Sequence, residues 1–177
     1  MGNTTSREKL RRRLSQYWKL ELANVVFVPA AVAYLAHATG GGLGPLTWLV
    51  FLPMCGLLLV GGLYWRGKLY ALDGRPGNLH SSLALADKLD KPLLAGSALA
   101  VGLAAASWIY PSISASFADR LAASVCAALA GLEYVNYYRR QLQHFDHAAD
   151  FKRLLAGKGF RAAQMAVDLA RYRAKQA

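Results

Sequence analysis

Glu133 is the one acid well inside an apolar stretch of this chain. Asn136, Tyr137 and Arg140 follow it at i+3, i+4 and i+7, on or beside one helical stripe. A carboxylate is costly in lipid, so this set marks a proton- or cation-handling group, or a polar site facing a cavity. The competing reading is structural. Glu133 lies about 9 Å along a helix from Arg139, close enough to the headgroup level for an ion pair that fixes helix rotation.

A second set is His144, Asp146, His147 and Asp150. On a continuous helix His144 and His147 are i, i+3 neighbours with Asp150 on the next turn. That spacing suits a divalent metal if His80, Asp87 or Asp90 completes the ligands. HxxH on an exposed helix is more often a polar face, which makes metal the weaker reading and leaves no cofactor required. His37 reads as an interfacial residue at the end of an apolar span. Cys55 and Cys126 lie in apolar runs without CxxC spacing and read as small buried hydrophobes.

No P-loop, GxSxG elbow or HExxH is present, which removes the enzyme classes those motifs serve. The DGRPG stretch shares a DG pair with the CDP-alcohol phosphotransferases but lacks the rest of their motif in order. Small multidrug transporters also have four short spans, yet carry their essential Glu in the first. Here Glu21 stands where the first span begins, not at its centre, and the long segments outside the spans have no counterpart in that family, so the resemblance is set aside.

The elements that must hold these residues are four long apolar stretches. The 177 residues are 55% apolar with a net charge of +11, a pairing unusual for a soluble protein. Because the apolar residues come in blocks, the charge speaks for anionic lipid headgroups and for topology, not for nucleic acid. The expected fold is all-α: a polytopic four-helix transmembrane bundle with spans at about 22–38, 45–65, 93–110 and 121–138, together residues 22–138. Pro29 and Pro53 sit inside spans, and Gly61-Gly62 precede Tyr64-Trp65 at one edge. Gly96, Ala100 and Ala104, with Ala123, Ala127 and Gly131, repeat small residues every four positions and let helices approach within one chain or between protomers.

Flanking this core, residues 1–21 form a basic amphipathic segment opening on a Thr5/Glu8 capping box. A loop covers 66–91, in which the second helix ends at Asp73-Gly74, Asn78 caps a short helix, and Pro92 opens the third span. Residues 139–177 form a helical tail. The fourth helix is expected to run on through it, since no breaker occurs before Gly157. A last helix over 160–175 sets Ala162, Met165, Ala166, Leu169 and Tyr172 opposite Arg161, Gln164, Asp168, Arg171 and Lys175.

Basic residues settle the expected orientation. Six precede the first span, five lie in the middle loop and nine follow the fourth span, against Arg120 alone on the other side. Both termini and the loop are therefore expected in the cytoplasm, in a multi-pass inner-membrane protein. The start has no signal-peptide core. Gly2 and Ser6 fit a myristoylation pattern, though a short one that arises by chance and serves no purpose in the bacterial setting the Ala/Leu/Gly-rich body suggests.

The functional expectation is a non-enzymatic protein acting by interaction, as an accessory subunit, assembly factor or scaffold. Arg11, Arg12, Arg13, Lys19, Arg161, Arg171 and Lys175 would bind lipid or a membrane protein partner. The alternatives are a small homo-oligomeric transporter or channel using Glu133, and a membrane enzyme acting on a lipid-like substrate near His144 and His147.

Overall fold

The computed structural model describes residues 2–142, 156 and 159–176, with side chains from residue 6 onward. Among these residues the fold is all-helical: α1 Gly2–Ala38, α2 Pro45–Leu72, α3 Gly77–Ile109, α4 Phe117–Tyr138 and α5 Gln164–Ala174, with a short 3-10 turn at Pro111–Ile113. Three of them, α1, α2 and α3, contain windows long and apolar enough to cross a membrane. Their connections are short, so consecutive helices run antiparallel. The starts of α1 and α3 and the ends of α2 and α4 share one end of the bundle, the basic end.

Helix α2 is the central helix, in contact with α1, α3 and α4. Val50, Met54, Leu57, Val60 and Tyr64 recur at helical spacing and are all but inaccessible. The window of α2 is 61% buried, whereas that of α1 is 6% buried and leaves Val26, Phe27, Tyr34 and Leu35 exposed. An apolar helix with so little protein around it suits a lipid contact, where packing rather than water exclusion selects the interface. Pro45 begins α2, where a missing N–H costs nothing. Pro29, Pro53 and Pro92 all lie inside helices, which neighbouring helices can tolerate.

The small-residue stripes close within one chain. Ala100, Ala104, Ala123 and Ala127 are buried in one core with Cys126, and an added Cβ at Gly131 would meet Val101 at 3.6 Å. Their repeats need no second protomer.

Several boundaries differ from expectation. Helix α1 runs unbroken from Gly2, so positions 5 and 8 lie inside it and not at its start. The loop expected over 66–91 shrinks to a turn at 73–76, where Gly74 takes φ +82. Its short helix is the first part of α3, which passes through Pro92, and Pro76 rather than Asn78 occupies the cap. Helix α4 stops at Tyr138. The Asn136 side chain accepts the Leu142 N–H at 2.9 Å, and Gln141 and Ala163 donate to Arg161 and Arg139 carbonyls at 2.9 and 3.1 Å. These bonds replace the helical ladder with an antiparallel pairing of Arg140 and Ala162.

Candidate functional site

At the basic end, α5 lies across the bundle on ion pairs and on its apolar face. Met165 and Leu169 are buried as the amphipathic pattern requires. Asp168, expected on the polar stripe, is instead buried. It accepts from the Tyr64 hydroxyl at 2.7 Å and from Lys68 Nζ at 2.8 Å. Tertiary contact overrides the stripe, because a buried carboxylate with two donors is stable only where those donors are supplied. Arg173 reaches Asp87 at 2.6 Å and Asp90 at 2.8 Å. Its bonds to Asp90 and then Asp87 raise the guanidinium above its ordinary pKa. Tyr134 donates to Asp90 at 2.7 Å, and the His80 ring meets Tyr172 edge-on. Two of the three supplementary metal ligands considered from sequence, Asp87 and Asp90, are thereby committed to Arg173.

Beneath α5 is a cavity of about 560 Å³. Helix α1 contributes Arg13, Tyr17 and Glu21, α2 contributes Trp65, Lys68 and Ala71, and α4 contributes Asn136 and Tyr137. Gln141, Arg161, Gln164 and Met165 complete the far side. Leu10, Leu14, Leu72 and Leu79 give it an apolar component. Lining of this kind, largely apolar with a few convergent polar groups, is typical of small-molecule sites.

The Gly61-Gly62 pair determines who meets at the deep end. A Cβ at Gly61 would run into the Tyr137 ring and hydroxyl, and one at Gly62 would lie 2.7 Å from Leu22 and 3.3 Å from the Glu21 side chain. Only two residues without side chains let α1 and α4 approach α2 together at that level. Tyr137 is 3% exposed, and its hydroxyl has no hydrogen-bond partner among the described residues. It lies within electrostatic reach of Glu21 and Glu133, close enough to Glu21 to interact but not in hydrogen-bond geometry. Glu21 and Glu133 also act on each other.

The sequence-derived set is thus partly assembled and partly dispersed. Asn136 and Tyr137 line the cavity, and Glu133 is half-buried behind them with the Asn136 amide at 3.4 Å. Arg140 is exposed, turned to the Phe160 carbonyl at 3.4 Å, and does not join Glu133. His144, His147 and Asp150 lie outside the described residues, and no group of three or more potential metal ligands occurs among those described. Of the basic candidates, Arg11 pairs with Asp73 at 3.1 Å and Arg13 donates to Tyr17 at 2.6 Å. Lys19 sits over Trp18, Arg171 approaches Asp168 at 3.9 Å, and Arg12 and Lys175 are exposed. His37 is exposed at the opposite end.

Glu21 is the cavity residue that the sequence-derived set did not include. Its position at the start of a span looked peripheral, but α1 begins twenty residues earlier and carries it into the cavity wall. The available signal was the Gly61-Gly62 pair, which announces a close approach without naming the partner. No protein-family model, curated protein or solved structure matches the chain.

Proposed function

We propose that this is a non-enzymatic, multi-pass inner-membrane protein that works by binding a ligand at its basic end, with both termini in the cytoplasm. The cavity beneath α5, walled by α1, α2 and α4, is the observation that carries this reading. Helix α4 supports a fourth span: its 22 residues cover about 33 Å at the helical rise, close to a hydrocarbon core. The basic residues around the cavity favour anionic headgroups on that side, and the exposed Arg12 and Lys175 are placed to meet them. A membrane protein partner would approach the same face, over α5.

Mass analysis of the full chain in native-like lipid nanodiscs tests the reading. Wild type should retain a small-molecule or lipid species that Ala71→Trp and Leu10→Trp, each filling the cavity with an indole, do not. Equal retention by all three proteins would overturn it.

A transporter is the second reading, favoured by the two carboxylates that flank Tyr137. A coupled pathway needs such intramembrane acids. It predicts that Glu21→Gln and Glu133→Gln each abolish a proton-coupled flux in liposomes, and unchanged flux in both removes it.

A further inference from the structure

Between α2 and α3 runs a second groove, of about 280 Å³, that shares no lining residue with the cavity beneath α5. A Cβ at Gly67 would lie 2.9 Å from Ser82 Oγ and 3.0 Å from Leu79 Cα, so the two helices touch along its floor. Because α3 runs antiparallel to α2, the lining is ordered along the groove. Leu63 and Leu85 stand at one end, Arg66 in the middle and Tyr70 with Asn78 at the other. The Ser82 hydroxyl fixes that register by donating to the Leu63 carbonyl at 3.0 Å. From Pro45 to Trp65 α2 carries no charge, a run of about 30 Å that matches a hydrocarbon core. Arg66 is the first charge beyond it, at the level of the headgroups.

Arg66 precedes Tyr70 by one turn and donates to its hydroxyl through Nε at 3.3 Å and Nη2 at 3.2 Å. Its guanidinium carbon also stands 5.3 Å from the centre of the Tyr70 ring and 5.7 Å from that of Trp18. The chain then turns back on itself. The Gly74 N–H bonds to the Ala71 carbonyl at 3.1 Å and the Arg75 N–H to the Tyr70 carbonyl at 2.8 Å, the paired bonds of a Schellman end. That end brings the Arg75 guanidinium to 4.5 Å from the Tyr70 ring. One tyrosine therefore holds two cations. Unlike Lys68 and Arg173, which are paired with aspartates, these two have only neutral partners among the described residues, and no acid lines the groove. Asp73, which lies between them in sequence, is taken by Arg11. Guanidinium groups held on rings, with N–H groups to spare and no carboxylate beside them, match the oxygens of a phosphate.

The same stripe of α2 says which kind of phosphate. Leu52, Leu59 and Leu63 lie on it with Arg66 and Tyr70, and Leu52 and Leu59 are 74% and 43% exposed. It is apolar along the hydrocarbon level and cationic at the headgroup level, the order found in a phospholipid. We propose that the groove between α2 and α3 is a site for one anionic phospholipid, its phosphate held by Arg66 and Arg75 and an acyl chain laid along Leu63, Leu59 and Leu52. The Asn78 amide lines the head end as a neutral donor. A free phosphate would make no use of the leucine stripe. The inference rests on the membrane reading above and not on a ligand in the cavity beneath α5.

Counting the lipids that the full chain retains on release from nanodiscs of phosphatidylcholine with a minority of phosphatidylglycerol tests the site. Wild type should keep phosphatidylglycerol about tenfold above its share of the disc. Arg66→Gln combined with Arg75→Gln should abolish that enrichment, and both residues are exposed, so the bundle stays folded. Tyr70→Phe removes only the hydroxyl that orients Arg66 and should lower the enrichment about two- to threefold. Leu85→Trp changes no charge but fills the apolar end, and it should lower the enrichment as far as the double variant. Lys9→Gln, which removes an exposed charge elsewhere at the basic end, should leave it unchanged. Retention by wild type in proportion to the disc, or undiminished enrichment in the double variant or in Leu85→Trp, would overturn the site. So would a fall in Lys9→Gln as deep as in the double variant, since the attraction would then belong to the whole basic surface. A chain that does not enter the discs would overturn the membrane reading and the site together, whereas one that enters them without enrichment overturns the site alone.

Discussion

Carboxylates are buried at both ends of the bundle, in opposite ways. At the end away from the basic residues, Asp119 is inaccessible and accepts from four donors. These are Gly44 N at 2.9 Å, Thr47 N at 3.1 Å, the Thr47 hydroxyl at 2.6 Å and Ala115 N at 2.9 Å. One side chain thereby caps the start of α2 and ties it to the start of α4, whose own cap is Ser116. At the basic end, Glu21 lines a cavity and the nearest buried hydroxyl, on Tyr137, is unpaired. A satisfied buried carboxylate is a fastening. An unsatisfied polar cluster beside empty volume is a place for something else to bind.

Mutations can break that contrast. Asp119→Ala should have the largest effect on the fold, about 3–5 kcal/mol, because four donors lose a buried acceptor at about 1–3 kcal/mol each before any of them finds a new partner. Unfolding in mixed detergent–SDS micelles, followed by helical circular dichroism, measures it. A loss below about 1 kcal/mol would mean that water reaches these groups and that the fastening is weak.

Asp168→Ala should come next, at about 2 kcal/mol, since it leaves the Tyr64 hydroxyl and Lys68 without their shared acceptor. The effect should be local. Hydrogen exchange over 164–174 should accelerate while α2 stays protected, and uniform acceleration would show that α5 is integral to the bundle core.

The smallest effect sharpens the comparison most. Tyr137→Phe should change stability by less than about 0.5 kcal/mol, because a hydroxyl without a partner contributes no hydrogen bond. Thr47→Val, which removes a paired hydroxyl at the opposite end, should cost about 1–2 kcal/mol in the same assay. Equal losses at the two positions would mean that Tyr137 is also structural and would remove the strongest polar argument for the cavity.

How far these features were legible in the sequence depends on whether they are local. Helix identity was readable because apolar runs and small-residue repeats are properties of neighbouring positions. Tyr137 and Asn136 were found by spacing from Glu133, and all three remain together because one helix carries them. Arg140 does not stay with them, because the helix ends two residues earlier, where the Leu142 N–H bonds to the Asn136 side chain. Glu21 was invisible as a partner because its neighbours come from α2 and α4, far along the chain. Asp168 looked like a solvated charge for the same reason: Tyr64 and Lys68, which justify its burial, lie about a hundred residues away.

By itself the sequence determined the class of the protein: all-helical, with apolar blocks able to enter a membrane and positive charge concentrated between and beside them, although it counted four such spans where three helices have the length and apolarity to cross. Hydrophobic blocks and charge distribution are one-dimensional quantities, and the cost of polar groups in lipid turns them directly into architecture. Only the tertiary structure decided which acids are fastenings and which face a cavity. That distinction depends on whether donors from other helices reach each carboxylate, and helix packing at Gly61, Gly62 and Gly44 sets those distances.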